Sequence, residues 1–154
     1  MKIRPAKPDD VLTWGDLRHK LWEEHASNEL TAELNQFFDG STGRAMICYM
    51  LECEEGDPLP AGTLGGFAEA SMRSDAEGCK SSPVGYLEGW YIEPALRWQG
   101  WGGKLVHAVE QWAREQGATE MASDHTPENV VSERAHKALG YQVVQRIVCL
   151  RKSL

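Results

Sequence analysis

The sequence predicts a single α/β domain spanning residues 1–154, an α+β sandwich whose mixed, mostly antiparallel central sheet is flanked by helices. Three observations predict it. The chain has 154 residues, enough for one core. Its apolar residues alternate between strand and helix spacing in the order β-α-α-β-β-β-α-β-α-β, the last segment being one long strand or two short ones. The glycine-rich stretch RWQGWGGKL, residues 97–105, stands between the strongest strand and a long helix.

The elements follow in order. MKIRPA alternates and predicts a first strand. DDVLTWGDLRHKLWEEH sets Val11, Trp14, Leu17, Leu21 and Trp22 at helical spacing, with Asp9 or Asp10 as cap. SNELTAELNQFF predicts a second helix, with Leu30, Leu34, Phe37 and Phe38 on one side. RAMICYMLEC and TLGGFAEASMR predict a hairpin around the turn EEGDPLP. After the polar loop SDAEGCKSSP comes the strand VGYLEGWYIEP, in which Gly89 signals a bulge or a close backbone approach. GGKLVHAVEQWAREQG predicts a helix with Leu105, Val109, Trp112 and Ala113 inward and Gly117 as its stop. ATEMASD is a short strand. TPENVVSERAHKALG is a helix with Thr126 as cap, Pro127 in its first turn and Gly140 at its exit. YQVVQRIVCLRK supplies the final strand or strands.

Composition narrows the function. Apolar residues make up 42% and charged residues 25%, as in ordinary soluble domains. No apolar run is long enough for a membrane span, and MKIRPAKPDD lacks the apolar segment of a signal peptide, so a cytoplasmic protein without membrane partner is expected. Cys48, Cys53, Cys79 and Cys149 form no CxxC pair, so no metal site is expected, and Cys48 and Cys149 fit small core positions. The net charge of −7 argues against nucleic acid and permits a cationic partner, although solubility alone also accounts for it.

Glycines are costly inside regular elements, so three of them where a helix should begin need a reason. A helix start presents unpaired N–H groups and the positive end of the helix dipole, and glycines let such groups wrap a phosphate. RWQGWGGKL is neither a Walker A loop nor a GxGxxG fingerprint. Local sequence alone leaves a plain tight turn and an anion site equally open.

In this context the stretch resembles the pyrophosphate turn Q/R-x-x-G-x-G/A of the GCN5-related N-acetyltransferases (GNAT), beginning at Arg97 or at Gln99. NVVSERAHKALGY is similar to that family's N-x-x-[AS]-x-x-x-Y-x-x-x-G-[FY] helix. The resemblance implies the GNAT fold and acetyl-CoA as donor. By it, the backbone of Trp90, Tyr91 and Ile92 pairs with the pantetheine arm. Arg97, Gln99, Gly100, Trp101, Gly102 and Gly103 hold the pyrophosphate, and Asn129 bonds the cofactor arm. His136 replaces the family's helical tyrosine, the proposed proton donor to the leaving thiolate. It is either that donor against the cofactor or an ordinary helix residue.

A narrower resemblance concerns the acceptor. LRHKLW, SSPVGYLEGWYIEP, ASD and ENVVSERAHKALGY are similar to the aminoglycoside 6′-N-acetyltransferases of antibiotic resistance. Aminoglycosides are polycations, so an acidic cleft is expected. The resemblance implies Glu88 and Asp124 as the carboxylates that bind the reacting amine and take its proton, with Trp22, His25 and Asp75 as further substrate contacts. Without it, Glu88 is an outward strand residue and Asp124 an ordinary strand-end acid. Parallel strands diverging at a bulge would bring both carboxylates to one opening. The amine then attacks the thioester directly, polarised by a backbone N–H near Tyr91 or Ile92, since no cysteine is placed as a nucleophile. The loop Ser74–Ser82 departs from its relatives, which carry a tyrosine near Asp75. That leaves two other readings: acetylation of another cationic amine, such as a polyamine or a protein lysine, and a non-catalytic acetyl-CoA sensor. A homodimer is expected, with Trp112 and other aromatics as a possible face.

Overall fold

The structure, a computed structural model, describes residues 1–22 and 27–153. The strands are β1 (Lys2–Pro5), β2 (Met46–Glu52), β3 (Leu64–Arg73), β4 (Val84–Ile92) and β5 (Met121–Ser123). The helices are α1 (Val11–Leu21), α2 (Ser27–Asp39), α3 (Trp101–Glu115) and α4 (Val130–Ala138). The strands form one open sheet in chain order, antiparallel from β1 to β4, with β5 parallel to β4. The parallel step is the one that needs a crossover, and α3 supplies it.

The two faces of the sheet are covered by different helices. Trp14 and Leu17 of α1 and Leu34 of α2 pack on Cys48, Met50 and Phe67. Leu105, Val106 and Val109 of α3 pack on Leu51, Ala68, Ala70 and Leu87 from the other side. This explains why the first eight residues of β3, Leu64–Ser71, are all buried, as a strand covered on both faces must be. Among the described residues no helix is long and apolar enough to cross a membrane.

Four expectations are corrected. Residues 142–153 form no strand, although their pattern predicts one or two. The tail pairs with neither edge of the sheet and instead runs beside the 74–82 loop, with Val144 against Gly78. Val143, Val144, Ile147, Val148 and Leu150 stay exposed, and so does Cys149, whereas Cys48 is fully buried. Asp10 does not cap α1. Its carboxylate accepts from the Lys7 N–H at 2.7 Å and from Arg4 at 2.7 and 2.9 Å, closing the short turn before the helix. Thr126 does not cap α4 either. Its carbonyl accepts from Asn129 N–H in a preceding turn, and Asn129 Oδ1 caps the helix by accepting from Ser132 N–H at 2.9 Å.

Candidate active site

The site begins where β4 and β5 part. Their pairing covers only Gly85–Met121, Tyr86–Ala122 and Leu87–Ser123. Beyond it, β4 runs on through residues 88–92 with β3 on one side and no strand on the other. The Glu93 N–H donates to Gly65 O on β3 at 2.8 Å. Alternation along the strand then turns the backbone groups of Tyr91 toward β3 and those of Trp90 and Ile92 toward the opening. The Ile92 carbonyl is already taken by Arg97 Nε at 2.8 Å. The open edge therefore offers the Ile92 N–H and both backbone groups of Trp90.

Helix α3 starts beside this edge. The N–H of Lys104 is the first to reach back within the helix, to Gly100 O, so those of Trp101, Gly102 and Gly103 have no carbonyl one turn before them. The three glycines serve different ends. Gly100 caps the helix at φ +80°, a left-handed conformation that glycine adopts without strain. A Cβ on Gly102 would lie 2.8 Å from the Trp90 ring. One on Gly103 would meet Leu139 at 3.3 Å. Gln99 donates to Ala95 O at 3.4 Å, and Arg97 lies over the Tyr91 ring, so both side chains brace the turn itself. The Trp90 Nε1–H is buried without a partner among the described residues.

His136 reaches the same split from α4. Its Nδ1 lies 2.8 Å from Ser132 O and its Nε2 3.0 Å from Ser123 Oγ, while its ring packs edge-on to Trp90 and Tyr141. Burial holds its pKa below the ordinary histidine value. A carbonyl only accepts, so the neutral ring carries its hydrogen on Nδ1, and its Nε2 and the Leu87 carbonyl both face the single hydroxyl hydrogen of Ser123.

On the α1 side of the sheet lie the carboxylates. The β3–β4 register slips between Glu69 and Ala70, leaving Glu88 as the extra residue of a bulge opposite them. Glu88 and Asp124 are thus the first residues past the last β4–β5 pair, one on each diverging strand, but they line two different clefts rather than one opening. Asp124 is exposed and accepts from the Tyr86 hydroxyl at 2.8 Å. Glu88 accepts from Ser71 and is held by Arg73, with Arg44 Nη2 at 3.6 Å. The Arg73 guanidinium lies 3.4 Å from the centre of the Tyr86 ring. Glu88 lines a cleft of about 340 Å³ with Trp22, Arg44 and Glu69. Asp124, Tyr86, Arg73 and His136 line a neighbouring one of about 700 Å³.

Trp22 packs over the bulge, where a Cβ on Gly89 would lie 2.6 Å from its ring, which is why position 89 is glycine. Asp75 is exposed, bonded to Ser74, and lines neither cleft. His25 lies outside the described residues. Sequence reasoning missed Arg73, Tyr86 and Glu69. The signal for Glu69 is a lone acid inside the apolar run LGGFAEASM. It is 2% exposed, accepts from Trp14 Nε1 at 3.1 Å, and burial pushes its pKa up to about 7.

A parallel pair splaying beside a glycine-led helix start defines a class of protein. The chain belongs to the acetyltransferase (GNAT) family, whose model matches residues 14–141. It is 39% identical over 152 residues to an aminoglycoside N(6′)-acetyltransferase type 1 from Klebsiella aerogenes, covering 99% of this chain and 96% of that one. It is 36% identical to the protein of the same name from Stenotrophomonas maltophilia, covering 99% and 93%. Among solved structures it resembles AAC(6′)-Iy in complex with a bisubstrate analogue, CoA-S-monomethyl-acetylneamine (TM-score 0.85, 32% identity, covering 99% and 98%). It also resembles AAC(6′)-IG from Acinetobacter haemolyticus (TM-score 0.87, 30% identity, covering 100% and 99%).

Proposed function

We propose that this protein transfers the acetyl group of acetyl-CoA to the 6′-amine of aminoglycoside antibiotics, and so confers resistance. The observation that carries the proposal is the pair Glu88 and Asp124 at the mouth of the β4–β5 split, in a chain similar along its whole length to aminoglycoside 6′-N-acetyltransferases.

The described residues fit such a donor: an open strand edge at Trp90 and Ile92, unpaired N–H groups at the start of α3 and an orphaned indole N–H. Acetyl-CoA supplies an activated acyl group as a thioester. The Ile92 N–H polarises the acyl carbonyl as charge builds on its oxygen. The N–H groups of residues 101–103 and the dipole of α3 hold the pyrophosphate. Arg97, Gln99 and Gly100 shape that turn, and Gly102 and Gly103 let Trp90 and Leu139 close under it. Asn129 has its carbonyl oxygen committed to the cap, so its amide N–H₂ is the group that meets the cofactor arm. His136 positions the split through Ser123. Asp124 accepts the amine's proton, with Tyr86 orienting it, and Glu88 binds the acceptor's positive charge. Trp22 forms the wall beside it.

The protein works in the cytoplasm as a homodimer in this reading. The exposed apolar residues between 143 and 150 are the surface for the partner copy. The discriminating assay follows free thiol from acetyl-CoA on adding kanamycin, spermidine or a histone-like peptide. Release with kanamycin alone supports the proposal. Release with spermidine or the peptide alone assigns another amine, and release with none leaves a donor-binding protein.

A further inference from the structure

Trp98 has no role in the fold. Its φ is +66°, a left-handed conformation that a bulky side chain adopts only under strain. Its side chain is 94% exposed, so the core gains nothing from it. Its neighbours are fixed: Arg97 bonds Ile92 O at 2.8 Å and Gln99 bonds Ala95 O at 3.4 Å. Between these anchors the turn holds an indole out into solvent. The other tryptophan of the turn, Trp101, is covered by Lys104, whose Nζ lies 3.8 Å from its ring centre. Among the described residues Trp98 makes no such contact.

An exposed aromatic face at a strained position beside a phosphate-binding helix start is what a nucleotide base stacks on. Any base presents a π-face, and stacking needs no hydrogen-bond partner. In coenzyme A the adenosine is joined directly to the pyrophosphate, so its base must lie next to the turn that holds that group. We propose that Trp98 is the stacking platform for the adenine ring of coenzyme A. The chain thus grips its donor at both ends, with the β4 edge on the pantetheine and Trp98 on the nucleotide. This rests on the donor reading above.

The test is equilibrium binding by calorimetry, which does not depend on turnover. Coenzyme A, 3′-dephospho-coenzyme A and 4′-phosphopantetheine are titrated into the wild-type chain and into Trp98→Ala, Trp98→Gly and Trp98→Phe. Trp98→Ala weakens both adenine-bearing ligands about tenfold and leaves 4′-phosphopantetheine within about twofold. Trp98→Gly does the same although it relieves the backbone, which separates the ring from the conformation, and Trp98→Phe keeps most of the affinity. Equal weakening of all three ligands, or unchanged coenzyme A affinity in Trp98→Gly, overturns the stacking role alone. Failure of the wild-type chain to bind coenzyme A overturns the donor reading and the stacking role with it.

Discussion

Arg73 closes on Glu88 with two hydrogen bonds, Nε to Oε1 at 3.1 Å and Nη2 to Oε2 at 2.5 Å, while its guanidinium carbon lies 3.4 Å from the centre of the Tyr86 ring. The carboxylate proposed to bind a cationic acceptor is therefore held by a cation of the chain itself. A guanidinium is planar and permanently charged, and it can occupy a carboxylate as a bound ammonium would. An incoming acceptor must displace it or share Glu88. Arg73→Gln should lower KM for kanamycin roughly three- to tenfold at low salt, with kcat changed less, the scale of one partly exposed ion pair. Steady-state kinetics at two ionic strengths checks this. A raised KM would make Arg73 part of the acceptor site instead.

Asp124 and Glu88 sit alike at the split but are held differently. Asp124 is exposed and keeps one oxygen beyond its bond from Tyr86, whereas Glu88 is engaged by Ser71 and Arg73. The proposal therefore gives proton acceptance to Asp124. Asp124→Asn should cost about 10² in kcat/KM, within the usual range for acid–base catalysis. Glu88→Gln should act more on KM than on kcat. Losses below about threefold in both variants would remove the carboxylates from the reaction.

Gly102 faces Trp90 before it faces any ligand, since its missing Cβ would stand 2.8 Å from the ring. Gly102→Ala should cost about 1–3 kcal/mol by overpacking and should weaken coenzyme A binding by moving Trp90. Gly102→Ala combined with Trp90→Leu should recover part of the stability. Chemical denaturation of the four-member cycle measures the coupling. Additive losses would place the strain elsewhere.

Glu69 gives the fold a pH signature. Burial raises its pKa to about 7 from 4.5 in the unfolded chain, the Arg18 charge opposes that shift and nearby Glu88 adds to it. Between those values the folded state holds a proton that the unfolded state has lost, so this contribution is full below about pH 4.5 and fades as pH rises to 7, by roughly 3 kcal/mol at most. Glu69→Gln keeps an acceptor for Trp14 and should flatten the slope of stability over that window. Below it, Asp10 acts with the opposite sign, because Arg4 holds its carboxyl below the usual range. Denaturation at several pH values from 4.5 to 7.5 decides it. A parallel slope in the variant would assign the dependence to another group.

What was legible in the sequence was local. The turn at 97–103 announces itself because helix start, glycines and preceding strand are contiguous, and Glu88 stands beside the glycine that marks its bulge. The Arg73–Glu88 bond was not legible. It depends on the β3–β4 register, which slips at Glu69/Ala70, and a register shift leaves no mark on either strand alone. The packing of Gly102 against Trp90 was not legible for a related reason. A glycine at a phosphate turn and one under an indole look the same in sequence, and only the placement of Trp90 separates them. The cap at Asp10 failed because Arg4 and the Lys7 N–H take its carboxylate, and the one at Thr126 because Asn129 takes the helix-start N–H of Ser132.

The segment YQVVQRIVCLRK shows the limit most clearly, because its strand pattern is plain and its own sheet leaves it unpaired. Val148 and Leu150 are 84% and 92% exposed, a cost that an isolated chain has no reason to bear. The proposed homodimer supplies the reason, since an apolar extended segment is satisfied by the backbone and side chains of a second copy. Ending the chain after Tyr141 should give a monomer by analytical ultracentrifugation, whereas the full chain should sediment as a dimer. Replacing Val148 and Leu150 with Lys should do the same while leaving every described hydrogen bond of the sheet in place. A dimer that persists in both variants would move the interface to another surface, such as the face carrying Trp112.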